Sequence, residues 1–230
     1  MWRTVLLISV VGSVALAAEG SRIPNERSTD DLRLLVGIAP PIRQAAVEGL
    51  RQGSGAPTDQ SLSSRPSVGP RGGLRYLHGT WLSTDGGLKY GLDAVVSRST
   101  GALQDDQDPT ADDRDFVLTS AGVALVGGPT VRLDVDALES PADFVEVEIL
   151  GSVGPALMRA SNEKIVSAWS TGLRGGLSLG VVVTRFDRWQ IGAEVGGEWL
   201  HTSTLRWSNT GDAMVNAWGL TGGLQLGRRW

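Results

Sequence analysis

The sequence predicts an all-β protein: a closed, antiparallel, up-and-down β-barrel of eight strands crossing a membrane. Three observations carry this reading. Long stretches alternate between apolar residues and small or polar ones with a period of two, which is the strand signature. Gly supplies 31 of 230 residues, well above the usual level of about 7%, as tight turns and crowded barrel interiors require. Hydrophobic residues reach 41%, yet no internal run approaches the roughly 20 apolar residues of a spanning helix. A barrel shows lipid only its alternate residues, so average hydropathy is compatible with crossing.

Charge and cysteine usage narrow the function classes. The net charge of -4 and the lack of a basic cluster argue against nucleic acid as a partner. With no Cys, disulfides, thiolate metal sites and Cys nucleophiles are excluded. Residues 1–17 read as an export signal: Arg3, an apolar core from Thr4 to Val14, and Ala15-Leu16-Ala17 as the cleavage site, with cleavage near Ala17. Residues 18–72 read as a flexible periplasmic extension ending in a linker rich in Gly, Ser and Pro. Pro41 could start a short helix within it, or Leu32 to Ala39 could be a strand.

The barrel is expected over residues 73–230. Its first strand runs from Gly73 to Ser83, with the alternation blurred at Leu77 and His78. Thr84-Asp85-Gly86-Gly87 is a hairpin turn, and Leu88 to Arg98 the second strand. Residues 99–114 form an acidic loop. Asp115 to Val126 is the third strand, Gly127-Gly128-Pro129 its turn, and Val131 to Ala137 the fourth. The fifth places Val145, Val147 and Ile149 opposite Glu146 and Glu148 and fades near Pro155. After a loop at 159–167, the sixth spans Ala168 to Thr184 and the seventh Trp189 to Leu200. In the last, Met214 to Trp230, Trp218, Leu220, Leu224, Leu226 and Trp230 oppose Thr221, Gln225 and Arg229.

That last strand, with an apolar face, a small-and-polar face and a terminal aromatic, resembles the closing strand of bacterial outer-membrane β-barrels. The chain resembles their small, eight-stranded, OmpA/OmpX-like class. The resemblance implies the outer membrane of a Gram-negative cell envelope, surrounding lipid, a final strand directed to the periplasm, and recognition by the barrel-assembly machinery through the strand ending in Trp230. It also makes eight strands fit. Counting residues 32–39 as a strand would give nine, so a ten-strand barrel is the alternative, and it would carry the acidic loop to the outside.

The two faces then acquire meanings. Trp169, Trp189, Trp199, Trp218 and Trp230 lie near strand ends, as interface aromatics do. The inward set is Lys89, Asp93, Arg132, Asp134, Asp136, Glu146, Glu148, Arg174, Glu194, Glu198 and Arg229. An eight-stranded barrel is filled by side chains, and unpaired charges in a dry interior are costly, so these groups are expected to form a salt-bridge network. Arg229 and Gln225 are expected to find Glu194 and Glu198. The excess of acids also allows a narrow cation-preferring, porin-like path.

One arrangement invites an enzyme. His201-Thr202-Ser203 puts a His and a Ser two apart on one strand face, so the His could activate the Ser. His-x-Ser looks like the motif of the outer-membrane lipid A deacylases. Here Thr204 follows where that family has Asn, and strand parity groups His201 with Trp199 and away from Glu198. The acidic loop lacks the Gly and terminal Glu of an EF-hand loop. No cofactor or metal is expected. The reading is an outer-membrane barrel with a structural or surface-interaction role. The alternatives are lipid A modification, a narrow pore, or a soluble periplasmic barrel.

Overall fold

In a computed structural model, residues 28–39, 44–50, 58–63, 69–83, 85–103, 114–133, 144–162, 165–185, 188–202, 205–207, 211–213 and 216–230 are described. Eight strands close the barrel: β1 (Ser28–Ala39), β4 (Gly69–Trp81), β5 (Gly86–Leu103), β6 (Arg114–Leu133), β7 (Phe144–Asn162), β8 (Ile165–Arg185), β9 (Trp189–Thr202) and β12 (Asn216–Arg229). Every neighbouring pair is antiparallel. Two hairpins lie outside the ring: β2 (Gln44–Leu50) with β3 (Thr58–Ser63), and β10 (Leu205–Trp207) with β11 (Gly211–Ala213).

The strand count of eight holds, but its membership differs from the sequence reading in two places. Ser28–Ala39 is a barrel strand, paired with β4 on one side and β12 on the other, so 18–72 is not an extension throughout. Leu32, Leu34, Val36 and Ile38 face outward while Asp31, Arg33 and Leu35 are buried. The apolar Leu35 on the inward side is what disguised the alternation. The possible helix starting at Pro41 gives way to β2 from Gln44 onward, with Pro41 itself outside the described residues. In compensation, the expected third and fourth strands are one. Gly127-Gly128-Pro129 is no turn but the interior of β6, paired throughout with β5 and at Gly127 with β7. Composition marks that tripeptide as a turn, but inside a membrane a turn would strand backbone groups that need partners. A side chain on Gly128 would collide with the Ile149 carbonyl; close approach of β7 is what Gly serves there.

Two further corrections follow. Residues 159–162 belong to β7 and 165–167 to β8, so those parts of the expected loop at 159–167 are strand, and 163–164 lie outside the described residues. With β1 in the ring, the end of β5 and the start of β6, which flank the acidic connection, lie at the end opposite Trp230. The blurred alternation of β4 has a similar cause to that of β1. Leu77 faces inward and packs with Val126 and Leu150 in an apolar cluster inside the barrel.

The register defines the barrel's shape. Starting at Arg229 of β12, the cross-strand row passes Asp31, Leu77, Gly91, Val126, Ser152, Gly176 and Glu198. It returns to β12 at Gly219 instead of residue 229, a stagger of ten residues. For eight strands that stagger means a tilt of about 40°. The end of the barrel holding Trp230, the turn between β4 and β5, and the turn between β8 and β9 is called lower here. Two of its connections, 82–85 and 186–188, are short, and 134–143 is longer; at the first, the Leu82 and Ser83 amides both donate to the Gly86 carbonyl at 3.0 Å. At the other lower turn Arg188 takes a φ of 103°, uncommon for a residue with a Cβ.

Candidate functional site

Among the described residues, the lumen is where buried charge is concentrated. In the lower half, Lys89 stands at the centre of three carboxylates. Its Nζ lies 2.8 Å from Asp31, 2.8 Å from Glu146 and 2.5 Å from Glu148. Those three acids cluster as metal ligands would, but the Lys89 ammonium already supplies the cation. Two arginines clamp the cluster from opposite sides. Arg33 donates twice to Glu148, at 2.6 and 2.8 Å, and once to Asp31 at 2.7 Å. Arg229 donates to Asp31 at 2.7 and 3.0 Å and to Glu146 at 2.6 and 3.0 Å. Arg–carboxylate forks of this kind combine charge with fixed geometry. Gln190 and Gln225 accept the remaining Arg33 protons at 3.1 Å each. At the lower mouth, Arg132 bonds Glu146 at 3.2 Å and lies 4.0 Å from the ring centres of both Trp81 and Phe144.

The middle layer is smaller. Arg75 bridges Glu194 at 2.7 Å and Asp93 at 2.9 Å. Gln225 donates to Glu194 at 2.9 Å. The upper layer is looser. Arg71 reaches Glu194 at 3.2 Å and Glu198 at 3.7 Å, and Arg174 reaches Glu198 at 3.1 Å. Yet Arg174 Nε and Nη1 and both Glu198 carboxylate oxygens lack a hydrogen bond of good geometry. They surround a cavity of about 20 Å³, room for a single water.

Nine of the charges assigned inward from sequence are thus buried in the lumen: Lys89, Asp93, Arg132, Glu146, Glu148, Arg174, Glu194, Glu198 and Arg229. Asp134 and Asp136 lie outside the described residues. Sequence reasoning missed Asp31, Arg33, Arg71 and Arg75, which sit on β1 and β4, the strands whose alternation apolar inward residues or Gly interrupt. The signal was present in β1 as Leu32-x-Leu34-x-Val36-x-Ile38. Among the described residues the lumen then holds Arg33, Arg71, Arg75, Lys89, Arg132, Arg174 and Arg229 against Asp31, Asp93, Glu146, Glu148, Glu194 and Glu198. Among the described residues, then, acids do not outnumber bases in the lumen, with Asp134 and Asp136 not counted. The expected partners of Arg229 also change: Asp31 and Glu146 hold it, because Glu194 and Glu198 lie further up β9, while Gln225 does reach Glu194.

Of the enzyme constellation, only His201 and Glu198 are described, and they do not meet. His201 is exposed on the outward face of β9, Glu198 is buried on the inward one, and Ser203 lies outside the described residues. His78 also faces outward, with Nδ1 2.9 Å from Asp30, which accepts a hydrogen bond from Tyr76 at 2.6 Å.

The outer wall decides what solvent the barrel meets. Leu125 and Leu224 are each 68% exposed, Leu220 63% and Val36 60%, in a continuous apolar belt around a charged and buried interior. Water would invert that arrangement; hydrocarbon demands it, together with the closure that removes every sheet edge. The chain is an eight-stranded transmembrane β-barrel. All five Trp residues assigned to the interfaces are outward and exposed. Trp218 and Trp230 are twelve residues apart on β12, about 30 Å along the axis at this tilt. Trp189 and Trp199 are ten apart on β9, about 25 Å. Both spans fit the apolar belt of about 25 Å typical of such barrels. The Trp199 ring lies over Gly175 of the paired strand, where any side chain would collide with it.

No protein-family model matches the chain, and no curated protein matches it. Solved structures with a similar fold include Neisserial surface protein A, at 14% identity over 88% of this chain and 94% of that one, with a TM-score of 0.32. Ail, the attachment invasion locus protein of Yersinia pestis, matches at 14% over 86% and 99%, TM-score 0.31. The outer membrane protease OmpT from Escherichia coli matches at 8% over 92% and 99%, TM-score 0.43.

Proposed function

We propose that this protein is a sealed outer-membrane barrel with a structural or surface-interaction role, presenting its long upper connections outside the cell. The observation that carries the reading is the lower lumen, where Lys89, Arg33 and Arg229 lock Asp31, Glu146 and Glu148 across the bore. Moving an ion through would break several buried charge-assisted bonds at once, each costly to leave unpaired. Two connections at the upper end, 40–68 and 203–215, are longer than any at the lower end, where 82–85 and 186–188 are short and 134–143 equals the upper 104–113. Long loops on a rigid scaffold are where contact function resides. The same reading includes export with cleavage near Ala17 and recognition of β12, ending in Trp230, by the barrel-assembly machinery. Planar-bilayer recording tests it: the folded barrel is expected to be electrically silent at moderate voltage. Steady single-channel conductance would replace this function with a pore. Heat-dependent gel mobility of the membrane fraction provides the independent check on folding.

A further inference from the structure

Trp218 marks the upper interface. At the barrel's tilt, β1 and β4 end at or just below its level, whereas β5, β6, β7 and β8 rise about 12–18 Å above it. These four strands stay paired nearly to their tips, at Leu103 with Arg114, Phe116 with Asn162, and Asn162 with Ile165. The blade they form outruns its barrel neighbours on both sides. β4 pairs with β5 as far as Arg71 and Ser97, and in that register its first residue, Gly69, falls opposite Ser99. β9 pairs with β8 as far as Thr202 and Gly172. Residues 100–103 and 165–171 therefore form strand edges above the membrane, and an open edge is a template on which another chain can add a strand.

The two hairpins outside the barrel meet those edges. β3, which leads into the upper end of β4, lies beside β5, and β10, which follows the upper end of β9, lies beside β8. β2 is hydrogen-bonded to β3 and β11 to β10, and β2 and β11 lie beside each other. The path β3, β5, β6, β7, β8, β10, β11, β2 thus returns to its start. Its interior is filled. Just above the level of Trp218, inward-facing Leu118 is 1% exposed and Met158 0%, and Ser99 and Ser170 are buried with them. At an open mouth those apolar side chains would meet water. We infer that the upper connections form a closed second tier, a folded cap that shuts the lumen from above and covers both edges of the blade. A partner then reads side chains on the tier's outer face and adds no strand to it. The cap rests on the proposed membrane placement and deepens the surface-interaction reading, while the charge network lower in the lumen is a separate seal.

The chain has no Cys, so single thiols report access directly. Ser99→Cys and Ser170→Cys place a thiol inside the tier. Arg159→Cys, on the exposed outward face of β7 at a similar height, is the reference. Each variant is folded in dodecyl maltoside and treated with a hydrophilic maleimide, with labelling followed by mass spectrometry. A buried thiol reacts only through local opening, so both interior probes are expected to label about tenfold or more slower than the reference. Replacing residues 203–215 by a short Gly-Ser link is expected to bring Ser170→Cys to within about threefold of the reference, and the same replacement of 40–68 to do so for Ser99→Cys. Heat-dependent gel mobility verifies folding, and the full-length comparison decides the matter even where a replacement does not fold. Interior probes that label as fast as the reference in the full-length barrel overturn the tier; with a silent bilayer recording, that result leaves the lower charge seal standing. Protection that survives both replacements overturns the role of the hairpins.

Discussion

The two halves of the lumen use the same residue types to different ends. In the lower half each of Asp31, Glu146 and Glu148 bonds Lys89 and at least one of Arg33, Arg132 and Arg229, at 2.5 to 3.2 Å. In the upper half Arg71, Arg174 and Glu198 approach one another without aligning, and several of their polar atoms border a cavity. The difference teaches that pairing charges and satisfying them are separate achievements. A network closed on itself seals the bore; one with loose ends leaves room for water.

The strongest way to break this comparison is to remove its centre. Lys89→Met leaves three buried carboxylates short of a cation and is expected to cost about 3–5 kcal/mol. Urea unfolding of the barrel in lipid vesicles, followed by Trp fluorescence, measures it. Arg71→Met, in the upper layer, is expected to cost less than half as much, because Arg75 and Gln225 still hold Glu194. Equal losses would erase the distinction between the halves.

Inside and outside offer a second contrast. Leu92→Arg puts a charge on the lipid face of β5 well inside the apolar belt and is expected to cost about 2–4 kcal/mol in vesicles. A neutral outcome would contradict the membrane reading. Glu198→Gln is a milder probe: neither carboxylate oxygen makes a well-aligned hydrogen bond, so a loss of about 1 kcal/mol is expected. A loss as large as that of Lys89→Met would show the upper layer to be as tightly coupled as the lower. The smallest effect lies at the lower turn. Arg188→Gly relieves a positive φ and is expected to stabilise by up to about 1 kcal/mol, seen as a higher urea midpoint.

Much of the lumen was legible strand by strand. Parity alone puts Glu146 and Glu148 on one side of β7 and Val145, Val147 and Ile149 on the other, and it does the same for β9 and β12. Where an inward residue is apolar, as at Leu35 and Leu77, the alternation blurs, and Asp31, Arg33 and Arg75 disappear from view with it. Turn chemistry misled at Gly127-Gly128-Pro129 for a related reason. Local composition cannot tell a turn from a wall where two strands press close.

The sequence by itself determined the class of the molecule, because period-two alternation, abundant Gly and spaced Trp residues are local properties that lipid reads directly. It also determined which face of a regular strand carries charge. Only the tertiary structure decided which strands close the ring and which charges meet. Partners such as Arg33 and Glu148, or Arg229 and Glu146, are set by a register that accumulates to ten residues around the closure. No short stretch of chain contains that sum. It exists only once β1 has met β12.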